Sequence, residues 1–197
     1  MNIDKENMSK TESLVWIGAA YTVALYLSGA CLYLLDINPL INIFIADIVA
    51  TIIIFLFSYG LKNSSTYDAY WSVIPPFIAL YWMATADNEA SIARQLIVMA
   101  LILYWSLRLT ANWASNWEGM HHEDWRYVML KENNPKTATL IDFFGIHLFP
   151  TLQVFAGMLP VYAICFFGKN NLNILDFIAL LVTFSAITIQ MLSDFQL

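Results

Sequence analysis

LINIFIADIVATIIIFLFSYGL, residues 40–61, decides the architecture. Its 22 positions carry one charge, Asp47. As a helix rising about 1.5 Å per residue, such a run crosses a hydrocarbon core of roughly 30 Å. An open strand could not, because lipid leaves unpaired backbone groups unsatisfied. Outward from this stretch, apolar runs recur at 14–35, 70–86, 92–107, 140–167 and 173–192. Together they predict an all-α fold, a polytopic transmembrane helical bundle of about six spans.

Composition agrees. Hydrophobic residues fill 59% of the 197 positions and charged residues 12%, about half the roughly 25% of a soluble domain. Residues 1–13 read as a polar N-terminal tail and 14–197 as one transmembrane helical domain. The first run is too long, and its flank too mixed in charge, for a cleaved signal, so it is expected to remain as an anchor. Pro75-Pro76, Pro150 and Pro160 predict kinks in the third and fifth runs. Cys31 and Cys165 lie inside apolar runs and read as buried free thiols.

Orientation follows the placement of Lys and Arg and not the net charge of −6. With six spans, Lys5, Lys10, Lys62, Arg108, Arg126, Lys131 and Lys136 share one side, and Arg94 and Lys169 the other. That predicts an integral membrane protein with a cytosolic N-terminus, in the endoplasmic reticulum or a bacterial inner membrane. The connectors SSTYDAYWS (64–72) and NWASNWEGMHHEDWRY (112–127) then share the cytosolic face with Ser193 and Asp194.

Polar residues inside the spans are few and therefore informative. A charge at mid-span costs on the order of 2.5–3.5 kcal/mol on insertion scales, so Asp47 is expected to face the bundle interior. Thr51, Ile54 and Ser58 continue its face at helical spacing. The carboxylate reads either as a proton donor or as a helix–helix contact. Tyr104 and Arg108 share a face of the fourth run; Arg108 either snorkels to headgroups or binds a phosphate. Gln190 and Asp194 each fall within about 20° of Thr183 around the sixth run, a stripe expected to turn toward protein or a polar pocket. His147 reads as an interhelical hydrogen bond more readily than as a catalyst. In EDWRY (123–127), Trp125 suits the headgroup level, Arg126 an acid or phosphate, and Tyr127 offers a hydroxyl; the segment equally reads as an interfacial seal.

Several chemistries lack their motifs. The chain has no glycine-rich phosphate loop, paired Cys-x-x-Cys, GxSxG or HExxH, and no basic stripe suited to nucleic acid. His121-His122 with Glu123-Asp124 makes a poor metal cage, since the chain holds three histidines in all and adjacent ligands lack a second cluster. No metal is expected.

The segments STYDAYWSVIPP (65–76), LYWSLRLTANW (103–113) leading into HEDWRY (122–127), and IQMLSDFQL (189–197) resemble the uncharacterised membrane-protein branch of the steroid 5-alpha-reductase superfamily, related also to isoprenylcysteine methyltransferases. The likeness runs in order from about Asp47 to the last residue. It implies NADPH-dependent reduction of a carbon–carbon double bond conjugated to a carbonyl in a steroid or other lipid, with the bilayer and that hydrophobic substrate as partners. By position, the resemblance assigns Arg108, Gln190, Ser193 and Asp194 to the cofactor, and Asp47 and Tyr104 to the carbonyl-polarising pair. Tyr67, Asp68, Tyr70, Trp71, Asp124, Trp125, Arg126 and Tyr127 are substrate or interface candidates. Related reductases continue past Ser-Asp with a basic stretch, a glycine-rich loop and a Ser-Arg-His-Pro-Asn-Tyr segment. On that comparison the chain is expected to be the N-terminal portion of a longer reductase-like fold or a noncatalytic remnant. An S-adenosylmethionine-dependent methyltransferase is the alternative enzyme.

Overall fold

The structure is a computed structural model that describes residues 5–35, 37–86, 90–194 and 196; residues 1–4 of the expected polar tail lie outside the described residues. Among the described residues, eight α-helices form: α1 (Lys10–Leu34), α2 (Pro39–Leu61), α3 (Tyr70–Thr85), α4 (Ile92–Asn116), α5 (Trp125–Glu132), α6 (Ala138–Ile141), α7 (Phe149–Phe167) and α8 (Ile174–Asp194). A π-helical segment, Asp142–Leu148, joins α6 to α7. Among the described residues there is no strand, and the all-α, membrane-helical architecture is the one the apolar runs demand.

Helix boundaries follow local chemistry. α1 starts before its apolar run because Ser9 and Glu12 form a reciprocal capping box: Ser9 Oγ accepts from Glu12 N at 3.2 Å, and Glu12 Oε2 from Ser9 N at 2.8 Å. α2 opens on Asn38, whose side chain accepts from Leu40 N at 2.9 Å, with Pro39 in the first turn. α4 runs on to Asn116, so Asn112–Asn116 of the tryptophan-rich connector is helix.

Among the described residues, five stretches are long and apolar enough to cross a membrane: α1, α2, α4, the continuous 138–167 stretch and α8. α3 forms where a third span was expected, but its 16 residues reach only about 24 Å. Pro75 and Pro76 lie inside α3 and Pro160 inside α7.

The chain divides into two compact units, one of residues 1–71 and 113–155, the other of 72–112 and 156–197. In the first, α1 and α2 form an antiparallel hairpin, clamped at its turn by Asn42 Nδ2 donating to Leu32 O at 3.1 Å and Leu35 O at 2.9 Å. At the hairpin's open end Lys5 Nζ donates to Lys62 O at 2.9 Å and Lys10 Nζ to Ser115 O at 2.8 Å. The face of α2 carrying Asp47, Thr51, Ile54 and Ser58 is buried throughout. In the second unit, α4 and α8 run in the same direction, as their ion pairs show: Arg94 meets Asp176 near both N-termini and Arg108 meets Asp194 near both C-termini.

Candidate functional site

The first unit holds a buried polar assembly where the two connectors meet. Asn63 caps the 3₁₀ turn Ser64–Tyr67 by accepting from Ser65 N at 2.9 Å. Its amide donates to Met120 O at 2.8 Å and His122 O at 3.0 Å. Ser64 N donates to Glu123 Oε1 at 2.6 Å, and Asp124 N to Ser65 Oγ at 2.9 Å. Tyr127 donates to Asp68 Oδ1 at 2.7 Å. The tyrosine-rich and tryptophan-rich connectors are thus one hydrogen-bonded body. Gly119 (φ +127°) turns the chain beside Ser13, where Met120 N donates to Ser13 Oγ at 3.0 Å; a side chain is strained at that φ.

Beneath this body lies His147, 0% exposed. Its Nε2 pairs with Ser58 Oγ at 2.9 Å, and its Nδ1 donates to or faces Asp142 O at 2.9 Å and Asp142 Oδ1 at 3.3 Å. Asp142 Oδ1 accepts from Ser64 Oγ at 2.8 Å, and Lys131 Nζ reaches Ser64 Oγ at 3.1 Å and Glu123 Oε1 at 2.5 Å. Residues five apart lie about 140° apart on an α-helix. The wider turn of the π segment, marked by Phe149 N donating to Phe144 O, brings Asp142 and His147 onto one face. Pro150 supplies a reason for the widening: it cannot donate to Ile146 O and its ring crowds that carbonyl.

Deeper in the same unit Asp47, 2% exposed, accepts from Tyr70 OH at 2.9 Å through Oδ1, while Oδ2 has no partner. Tyr67 OH and Thr51 Oγ1 both meet Thr151 Oγ1, at 2.8 and 2.9 Å. Tyr67 and Tyr70 are fully buried, Trp71 half-buried.

Burial pushes the Asp68 carboxyl up to about 6, against the lowering effect of the Tyr127 hydroxyl, and raises the Tyr127 and Tyr67 hydroxyls well above the ordinary tyrosine value. Arg126 beside Asp124 holds that carboxyl below its usual range; the pair sits at 2.6 Å on the surface, next to Trp125, 69% exposed. Because folding raises Asp68 above its unfolded value, the folded chain binds more protons between about pH 4 and 6. Stability from this group is full below pH 4 and lost as pH rises through 6, by on the order of 2 kcal/mol given its partial exposure. Melting the chain in micelles from pH 4 to 8 should show that slope, and Asp68→Asn should flatten it; an unchanged slope in the variant would assign the dependence elsewhere.

The second unit holds the other expected residues. Tyr104 stacks on Phe184 at 5.6 Å and 23°, and its hydroxyl points to Met191 Sδ at 3.7 Å. Arg108 Nη1 pairs with Asp194 Oδ2. The arginine side chain is only 8% exposed, yet Nε and Nη2 are buried without a partner. A guanidinium in that state is held ready for a further acceptor, since buried donors are ordinarily satisfied. Thr183 and Gln190 are exposed, beside a face whose buried residue is Ile187. The exposed Ser193 donates to Ile189 O at 3.0 Å within α8.

The structure therefore gathers Asp47, Tyr67, Asp68, Tyr70, Asp124 and Tyr127 into one unit and Tyr104, Arg108, Gln190, Ser193 and Asp194 into the other. It adds residues that the sequence reading had not grouped: Ser58, Ser64, Lys131, Asp142 and Thr151 around His147.

The sequence matches the family described as Protein of unknown function (DUF1295) over residues 54–197. It is similar to an uncharacterized protein of Schizosaccharomyces pombe, with 27% identity over 165 residues, 81% of this chain and 47% of the relative. The chain spans about half the length of the curated relative it matches. No solved structure matches. The family match takes in Ser58, both connectors, His147, Arg108 and Asp194, and starts after Asp47.

Proposed function

The chain belongs to the DUF1295 family, and from that premise we propose that it is the membrane-embedded portion of an NADPH-dependent reductase acting on a conjugated double bond in a steroid or other lipid. The family's association with the steroid 5-alpha-reductase-like superfamily supports this reading. The observation that carries it is Arg108, a cation inside a bundle with two buried nitrogens lacking acceptors. That donor set fits a nucleotide phosphate or amide, because a planar guanidinium offers paired N–H groups to such oxygens.

NADPH supplies the hydride in this reading; the protein supplies placement and a proton. Arg108 would hold the anionic end, with Asp194 orienting the guanidinium through their ion pair and Gln190 and Ser193 offering amide and hydroxyl donors on the same helix as Asp194. Asp47 presents Oδ2, the oxygen without a donor, to the substrate carbonyl and holds a proton there, while Tyr70 fixes Oδ1 in place. Within the second unit, Tyr104 offers a hydroxyl one turn before Arg108, its thioether contact with Met191 being weak enough to exchange. The apolar bundle keeps water from the polarised carbonyl.

Thermal stability of the reconstituted chain, and of the full-length Schizosaccharomyces pombe relative, titrated with NADPH and with S-adenosylmethionine tests the cofactor, since a ligand selective for the folded state raises its apparent stability. A shift with NADPH alone is expected. A shift with S-adenosylmethionine alone transfers the protein to methyl transfer, and a shift with neither makes it a noncatalytic lipid-binding scaffold. With an enone lipid as substrate, Asp47→Asn should lower turnover by about 10²–10⁴, the usual range for a lost general acid, and leave NADPH affinity within about two-fold. Unchanged turnover would return Asp47 to a helix–helix contact.

A further inference from the structure

A cavity of about 290 Å³ opens in the first unit where α2 ends, lined by Ser58, Tyr59, Lys62, Asn63, Lys131, Ala138, Thr139 and Asp142. We propose that it binds the phosphoethanolamine headgroup of a membrane phospholipid, independently of the nucleotide reading above.

Position and size come first. α2 has the length and apolarity to cross a bilayer, so a cavity at its last turn sits at the depth of the headgroups. The volume lies at the small end of ligand sites, about 300–1,000 Å³, which suits a headgroup and not a whole lipid. Tyr59 of the lining, and Leu140 and Phe144, sequence neighbours of lining residues, are exposed large apolar side chains, a surface along which acyl chains can continue.

Charge selects the headgroup. Lys62 carries an ammonium that no side chain among the described residues engages, and it is exposed at the rim. Lys131 is already matched by Glu123, and Asp142 Oδ1 by Ser64. Asp142 Oδ2 takes no bond from a described residue. The cavity thus offers one uncommitted cation and one uncommitted carboxylate oxygen, the complement of a zwitterion with a phosphate at one end and a donor at the other. An ethanolamine ammonium can donate N–H to Asp142 Oδ2 and the Thr139 hydroxyl. A quaternary choline cannot, and the single lining aromatic, Tyr59, makes no cage for it.

Backbone conformation adds an independent reason. Lys62 is the sole non-glycine residue with positive φ (+50°) among the described residues, in the left-handed position that closes α2. Glycine is the usual occupant there, because a Cβ is disfavoured. A lysine held against that preference implies a use for its side chain, and the side chain lines the cavity.

The test is a thermal titration of the full chain in one detergent with dihexanoyl phosphatidylethanolamine, phosphatidylcholine and phosphatidylglycerol, inorganic phosphate, and NADPH as competitor. Saturable stabilisation by the ethanolamine lipid is expected, at least ten-fold tighter than by the choline or glycerol lipids, with no effect of phosphate and no displacement by NADPH. Lys62→Gly should melt at the same or a higher temperature without lipid and bind the ethanolamine lipid at least ten-fold more weakly. Equal stabilisation by all three lipids, reproduction of the effect by phosphate, displacement by NADPH, or full affinity in a folded Lys62→Gly chain would each overturn the proposal.

Discussion

Replacing His147 by alanine is expected to cost about 3–5 kcal/mol of stability, the range for emptying a large buried aromatic site. The imidazole is fully buried and ties its own π segment to α2 and to the 3₁₀ turn that follows α2, far away in sequence. It bonds Ser58 of α2 at 2.9 Å, Asp142 across the π turn, and lies against Phe55 at 5.3 Å and Tyr67 at 4.9 Å between ring centroids. Alanine removes the ring contacts and the imidazole's bonds to Ser58 Oγ and Asp142 O, each worth about 0.5–1.5 kcal/mol, while Ser58 Oγ keeps Thr66 Oγ1 as a partner. His147→Gln keeps a donor and an acceptor on a side chain of similar reach, and should recover about half of the loss. Denaturant unfolding of the three proteins in the same micelle gives the comparison. A loss below about 1 kcal/mol for alanine would mean that the polar assembly relaxes around the gap and does not hold the connectors to the helices.

The second large effect is on ligand binding. Arg108→Ala should weaken NADPH binding by about 10–100-fold, as expected for the loss of a charge-assisted contact worth about 1.5–3 kcal/mol. Its effect on the unliganded fold should be small. Burial of two donors without acceptors already opposes folding, so removing the guanidinium relieves one penalty while breaking the pair with Asp194, whose side chain is 25% exposed and can rehydrate. Arg108→Lys should retain only part of the affinity, because an ammonium cannot present the paired, coplanar donors. Equilibrium titration with NADPH, alongside melting curves without nucleotide, separates the two effects. Equal affinity in parent and alanine variant would remove Arg108 from the site and leave its unpaired nitrogens to a lipid phosphate or another acceptor.

These two residues also mark how far sequence reasoning reached. Arg108 read either as a snorkelling cation at the end of a span or as a phosphate ligand, and its face, shared with Tyr104, followed from helical spacing. Its partner Asp194 was marked by helical spacing as well as by resemblance, and the alternation of spans put both residues on one side; that the two side chains meet was decided by the packing of α4 against α8. His147 was legible as an interhelical contact and nothing more. The available signal was Pro150, three residues on, whose missing N–H forces a carbonyl upstream to find another donor. That the relief would take the form of a π segment, and so align Asp142 with His147, depends on what α2 packs against it.

The buried stripe of α2 was the most readable feature. Asp47, Thr51, Ile54 and Ser58 recur at helical intervals, lipid is a poor solvent for a carboxylate, and the face had to turn inward. The connectors were expected on one face, yet the bonds that join them were not legible, because the side chains of Asn63, Ser65 and Glu123 bond to backbone groups some 59 positions away and hydrogen bonds of that kind leave no periodicity in a sequence.

By itself, then, the order of residues determined that this chain lives in lipid, that its segments are helices, roughly where each begins, and which face of α2 is interior. These follow from solvation and backbone geometry, forces that act within a single segment. Folding in three dimensions alone decided that a proline-relieved π turn pairs Asp142 with His147, that two distant connectors become one body, and that Arg108 is buried short of acceptors. Those outcomes depend on which groups arrive next to one another, a property of the packed whole that no isolated stretch contains.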